Sequence, residues 1–144
     1  GWIEHTRGQF MIYRDAATPA VGEVVDAIRD ERDAVTEGFD LLSIPDPPFY
    51  ERIKNAQWPK DPCETGPPDL QHRYISEDIP YGLVPLTYLG DLLNVPTPVC
   101  DAIIELSSKV NRVNYWEEGL TLESLGLKLQ TPGEILSLVN SGST

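Results

Sequence analysis

Three stretches of the chain alternate apolar and polar residues with helical period, and each follows a Thr-Pro pair. Behind Thr18-Pro19, apolar residues recur at Val21, Val24, Val25, Ile28 and Val35, with Asp26, Arg29, Asp30 and Asp33 between them. One apolar stripe and one charged face predict a long amphipathic helix that ends near Gly38. Behind Thr97-Pro98, the stripe is Val99, Ala102, Ile103, Leu106 and Val110; Ile104 and Cys100 widen it, which makes this the expected central helix. Behind Thr131-Pro132, Ile135, Leu136 and Val139 predict a short closing helix. Threonine caps a helix through its hydroxyl, and proline suits the first helical position because its missing N–H costs nothing there.

Residues 81–93 carry leucines at helical spacing, with Pro85 either in the first turn or at a kink. Thr121-Leu122-Glu123-Ser124 resembles a helix start but supports only a short turn. Residues 9–13 form a short extended candidate whose partner would be a sheet outside this chain. Residues 44–69 are dense in proline, with room for one short helix near residues 49–56; the rest reads as a long ordered loop. The expected fold is all-α, bundle-like, with at most one short N-terminal strand.

A chain of 144 residues is long enough for one domain with a core. No apolar run approaches the roughly 18 residues that span a bilayer, so no membrane role is expected. A net charge of -12, spread along the chain, argues against a nucleic-acid partner and reads as solvated surface. Cys63 and Cys100 have neither metal nor redox spacing. Cys100 is expected to be a buried free thiol, in reducing, cytoplasmic conditions. The start at Gly1 reads as a cut inside a longer chain.

No glycine-rich dinucleotide or phosphate loop, nucleophile elbow or zinc-binding His-Glu-x-x-His is present. His5 and His72 have no second ligand at metal spacing. Trp58, Tyr115 and Trp116 read as core or domain-contact residues. Chemistry concentrates in Arg73-Tyr74-Ile75-Ser76-Glu77-Asp78-Ile79-Pro80-Tyr81-Gly82-Leu83-Val84-Pro85. Arg73 is expected on an extended approach, where His72 and Arg73 point to opposite faces. Asp78 is expected at a helix mouth, which favours an ionised carboxylate. A fixed guanidinium beside a fixed carboxylate suits a small anionic substrate and a proton-handling partner. On spacing alone, a helix start with an incidental arginine is the simpler reading.

This run resembles the C-terminal helical domain of the octopine/nopaline (opine) dehydrogenases. The resemblance continues through Gly90-Asp91-Leu92-Leu93-Asn94-Val95-Pro96-Thr97-Pro98, Asp101-Ala102-Ile103-Ile104-Glu105-Leu106, Asn114-Tyr115-Trp116 and Gly119-Leu120-Thr121-Leu122-Glu123-Ser124-Leu125-Gly126-Leu127. Gly1-Trp2-Ile3-Glu4 and the Thr18-Pro19 helix also look like the family, whereas residues 44–69 have no clear match.

The resemblance implies a two-domain oxidoreductase whose preceding Rossmann domain binds NAD or NADP. Such enzymes couple an amino acid to a 2-oxo acid such as pyruvate and reduce the imine. Arg73 matches the arginine that grips the oxo-acid carboxylate, and Asp78 the aspartate that partners a catalytic histidine. That histidine belongs just upstream of Gly1, and His5 is not at its position. Residues 1–17 would form an extended junction with the cofactor domain, and residues 18–144 the substrate-binding and catalytic helical domain. The alternative is a helical dimerisation or interaction module without catalysis; a homodimer is compatible with either.

Overall fold

The Thr18 hydroxyl accepts the backbone N–H of Val21 at 3.3 Å and opens helix α2, Pro19–Gly38. The structure is a computed structural model that describes residues 1–56, 65–128 and 130–142. Its other helices are α1 (Trp2–Thr6), α3 (Phe49–Asn55), α4 (Arg73–Ser76), α5 (Val84–Leu93), α6 (Pro98–Asn111), α7 (Tyr115–Glu118) and α8 (Pro132–Ser141). Two wider π-helical turns, Ile12–Ala16 and Ile79–Leu83, complete the order, so the fold is all-α among the described residues.

The segment 1–17 is not extended. α1 closes at Arg7, whose left-handed backbone (φ 52°) returns its N–H to Ile3. The expected strand at residues 9–13 reduces to one antiparallel bridge between Met11 and Thr65, within the chain. Phe10 is buried there, and a Cβ on Gly66 would lie 2.1 Å from its ring. The following π-turn is fixed by Asp15, which accepts from Met11 N–H and Arg14 at 2.8 Å each. Those bonds, Arg14's first, bring the Asp15 carboxyl down to about 2.

α2 packs against α3, α5 and α6. Its stripe is only partly covered: Val35 is buried, while Val21 and Val24 are 44% and 47% exposed. Gly22 permits the approach of α3, since a Cβ there would meet that of Tyr50 at 2.8 Å. The proline segment is tied to α2 by Arg29, which donates to the carbonyls of Asp46 and Pro47 at 3.0 Å. Asp26 pairs with Arg29 and accepts Phe49 N–H at 2.9 Å, so a side chain of α2 caps α3. The expected helix at residues 49–56 is therefore present; Trp58 and Cys63 lie outside the described residues.

One core cluster joins Ile79, Val84, Ile104 and Tyr115; another joins Val35, Phe39 and Ile135. Full burial of Val84 and Ile104 stabilises by about 1.5–3 kcal/mol each. The buried face of α6 is Cys100, Ile104 and Ser108: the two residues expected to widen the stripe are its centre, while Leu106 from the stripe itself is 67% exposed. Thr97 does not cap α6 with its side chain. Pro85 sits in the first turn of α5, where no kink is needed. Thr131 and Glu134 form a reciprocal capping box for α8.

Candidate functional site

Ile75, Ile79 and Leu83 recur every fourth residue and belong to the cluster around Val84 and Ile104. Packing those three inward leaves Arg73, Glu77, Asp78 and Tyr81 on the outside of the same run. Ile79 and Pro80 are buried, and the Pro80 carbonyl accepts Leu120 N–H at 2.8 Å. The charged run therefore stands on a surface turn fixed to the core by its apolar neighbours.

Arg73 does not lie on an extended approach: it is the first residue of α4. His72 is the residue with extended backbone (φ -59°, ψ 151°), and its ring nitrogen Nδ1 accepts Tyr74 N–H at 3.4 Å. Its ring also meets that of Tyr74 edge-on at 4.5 Å. The opposite-faces expectation for His72 and Arg73 fails with the extended geometry on which it rested, and His72 acts as a helix cap.

Because Arg73 is helical, Glu77 stands one turn further along, where side chains meet. The Arg73 guanidinium donates through Nε to Oε2 of Glu77 at 3.1 Å and through Nη2 to Oε1 at 3.2 Å. This fork, then the Glu77 charge, raises the Arg73 pKa above its already high value; the Asp78 charge adds to the effect. Arg73 and Asp78 are thus brought within electrostatic reach of one another on adjacent turns, both exposed. Asp78 stands at the mouth of the turn Ile79–Leu83, but its side chain makes no capping hydrogen bond.

Sequence reasoning missed Glu77. The available signal was its four-residue spacing from Arg73, which carries meaning only in a helix. The other aromatic expectations hold: Tyr115 is buried, and Trp116 packs on the same cluster while donating to Glu105 at 2.8 Å. Cys100 is a buried free thiol. His5 is exposed near Trp2, with ring centres 6.5 Å apart. Among the described residues, no group of three or more His, Cys, Asp or Glu side chains is placed to hold a metal ion. No described helix is long and apolar enough to cross a membrane.

A cleft of about 540 Å³ lies elsewhere and is lined by Asp26, Asp30, Asp33, Glu37 and Asp46 beside Arg29. That much carboxylate repels a pyrophosphate, and no glycine-rich turn faces it. The lining of this cleft therefore does not suit a dinucleotide. The Arg73–Asp78 turn is an open face that presents one guanidinium and two carboxylates to solvent.

Residues 1–111 match the family described as NAD/NADP octopine/nopaline dehydrogenase, alpha-helical domain. A relative named opine dehydrogenase, from Arthrobacter sp. (strain 1C), is 36% identical over 141 residues. That alignment covers 90% of this chain and 39% of the relative, so the chain spans under two fifths of the relative's length. Positions 73–78 fall inside the matched region. With a helical fold and a family match over most of its length, the chain belongs to the alpha-helical domain family of the octopine/nopaline dehydrogenases.

Proposed function

We propose that this chain is the substrate-binding and catalytic helical domain of an opine-dehydrogenase-type oxidoreductase. The whole enzyme would join an amino acid to a pyruvate-like 2-oxo acid and reduce the product with NADH or NADPH. The cofactor would be bound mainly by an N-terminal Rossmann domain, with residues 1–17 at the junction and residues 18–144 as the helical domain. This chain alone would then be inactive. The free, buried thiol of Cys100 supports a reducing, cytoplasmic setting.

The observation that carries the reading is the exposed guanidinium of Arg73, forked onto Glu77, with Asp78 exposed five residues along the same surface turn. Arg73 holds the oxo-acid carboxylate through paired charge-assisted hydrogen bonds, which set orientation as well as charge. Asp78 accepts a hydrogen bond from a histidine supplied from outside this chain, fixing its tautomer and stabilising its protonated form. The aspartate orients and does not itself move the proton, as in other His–Asp pairs.

Steady-state kinetics of the full-length enzyme test the assignment. Arg73→Ala should raise KM for the oxo acid roughly thirtyfold, the loss of about 2 kcal/mol expected for a hydrogen-bonded charge. An unchanged KM would remove the anchor role. The alternative, a non-catalytic interaction module, draws on the exposed outer face of α6, where Leu106 is 67% and Val110 49% exposed. Full-length protein with no turnover on any amino-acid and oxo-acid pair, but a dimer lost on Leu106→Glu, would favour it.

A further inference from the structure

Glu77 is held at both ends of its backbone within the charged turn. Its backbone N–H donates to the Arg73 carbonyl at 2.9 Å, and its carbonyl accepts Tyr81 N–H at 3.1 Å. It therefore links α4 to the π-turn Ile79–Leu83, and its side chain points back along α4 to Arg73. Among the described residues Glu77 is the hydrogen-bond partner of the Arg73 side chain.

A guanidinium offers five N–H donors in one plane, arranged as two edges that each match a carboxylate. Glu77 takes the edge formed by Nε and Nη2. The second edge, formed by Nη1 and the remaining hydrogen of Nη2, is left facing away from it. We infer that Glu77 is a positioning residue: it holds the inner edge of Arg73 so that the outer edge meets the substrate carboxylate in one plane. This rests on the reading of Arg73 as the oxo-acid anchor.

The opposing effect is charge. Glu77 and Asp78 together outweigh the single positive charge of Arg73, so by charge alone Glu77 weakens attraction for an anion. Both members of the pair are more than half exposed, so water screens that repulsion. Orientation is not screened in the same way. A long, flexible arginine left unbraced samples many rotamers, and small misplacements at a reacting centre reduce binding and rate steeply. The two effects differ in sign, which makes them separable.

The test uses the full-length enzyme with pyruvate as probe, measuring KM for pyruvate and for the amino acid separately. Glu77→Ala removes brace and charge together and should raise KM for pyruvate about two- to fivefold, the range for an exposed ion pair, leaving KM for the amino acid unchanged. Glu77→Gln keeps an acceptor for one guanidinium N–H but drops the charge, so KM for pyruvate should return to the native value or below it. An unchanged or lowered KM for pyruvate in Glu77→Ala would show that Glu77 only competes for Arg73, and would overturn the inference. Arg73→Ala separates the two levels. If it raises KM for pyruvate while Glu77→Ala does not, the positioning role alone fails; if it leaves KM unchanged, the anchor reading fails and this inference with it. Thermal unfolding of each variant completes the test: native KM values regained by Glu77→Gln at equal stability identify a positioning effect and not a loss of fold.

Discussion

The carboxylate of Glu31 accepts the backbone N–H of Cys100 at 2.9 Å across 69 residues of sequence. Its other oxygen takes Val99 N–H at 2.7 Å, so one side chain of α2 satisfies two unpaired amides in the first turn of α6. Thr97, the residue expected to do this, instead directs its hydroxyl to Asp101 at 3.4 Å. Glu31→Ala should lower unfolding free energy by about 2–3 kcal/mol, the worth of amides left without a charged partner. Glu31→Gln, which keeps one good acceptor, should lose about half of that. Urea unfolding monitored by helical circular dichroism measures both, and equal stability of all three proteins would dismiss the long-range cap.

The same contact bears on Cys100. Burial first, and then the neighbouring Glu31 carboxylate, push its thiol up to about 12 from 9.0. Between those values the folded protein keeps a proton that the unfolded chain releases. Stability contributed by this group is therefore intact below pH 9.0 and declines as pH rises toward about 12. In a Cys63→Ser background, iodoacetamide at mildly alkaline pH should label Cys100 only as fast as the protein opens. Glu31→Ala should speed labelling by freeing the first turn of α6. Immediate labelling of the folded native chain would mean that the thiol is open to solvent.

Local chemistry was legible in the sequence wherever it decides structure. Thr18 and Thr131 cap the helices behind them because a hydroxyl three residues from an orphan amide needs no distant partner. α6 is different: Leu106 and Val110 fit a helical stripe as well as Ile104 does, yet they face outward. The buried face includes Ser108, which periodicity discards as polar, and its hydroxyl is satisfied by Tyr115 N–H at 3.2 Å. The N-terminal segment departs from its apolar pattern for a related reason. Apolar residues at 10–13 suit a strand, but Asp15 and Arg14 close a π-turn that no apolar pattern encodes. At the site, the residue types at Arg73 and Asp78 were visible and their geometry was not, because His72 caps a helix at the point read as extended.

Gly119 lies behind the candidate site and shows how tightly the turn is held. A Cβ there would stand 2.6 Å from the Tyr115 carbonyl and 2.9 Å from that of Pro80. Both are backbone atoms, so neither can rotate away. Gly119→Ala should destabilise the protein by about 1–3 kcal/mol. It should also loosen the bond from Leu120 N–H to Pro80, which native hydrogen exchange would report as faster exchange at Leu120. Unaltered exchange would mean that the turn Ile79–Leu83 is anchored chiefly by Ile79 and Val84 from below.

Asp78 provides the sharpest separation between a functional and a purely structural carboxylate. Its side chain makes no capping hydrogen bond, so Asp78→Asn should leave thermal stability nearly unchanged. In the full-length enzyme, on the proposed reading, the same substitution would remove the charge that supports a protonated histidine. kcat should then fall by roughly two to four powers of ten, the range for lost acid–base assistance, with little change in KM. The pH profile should shift too: without a neighbouring carboxylate the histidine loses its proton more readily, so its apparent pKa moves down. Arg73→Ala gives the opposite pattern, a raised KM for the oxo acid with the pH profile kept. Near-native turnover in Asp78→Asn, with an unshifted profile, would reduce Asp78 to a solvated surface charge. The catalytic assignment would fall while membership of the family, which rests on the match across residues 1–111, would stand.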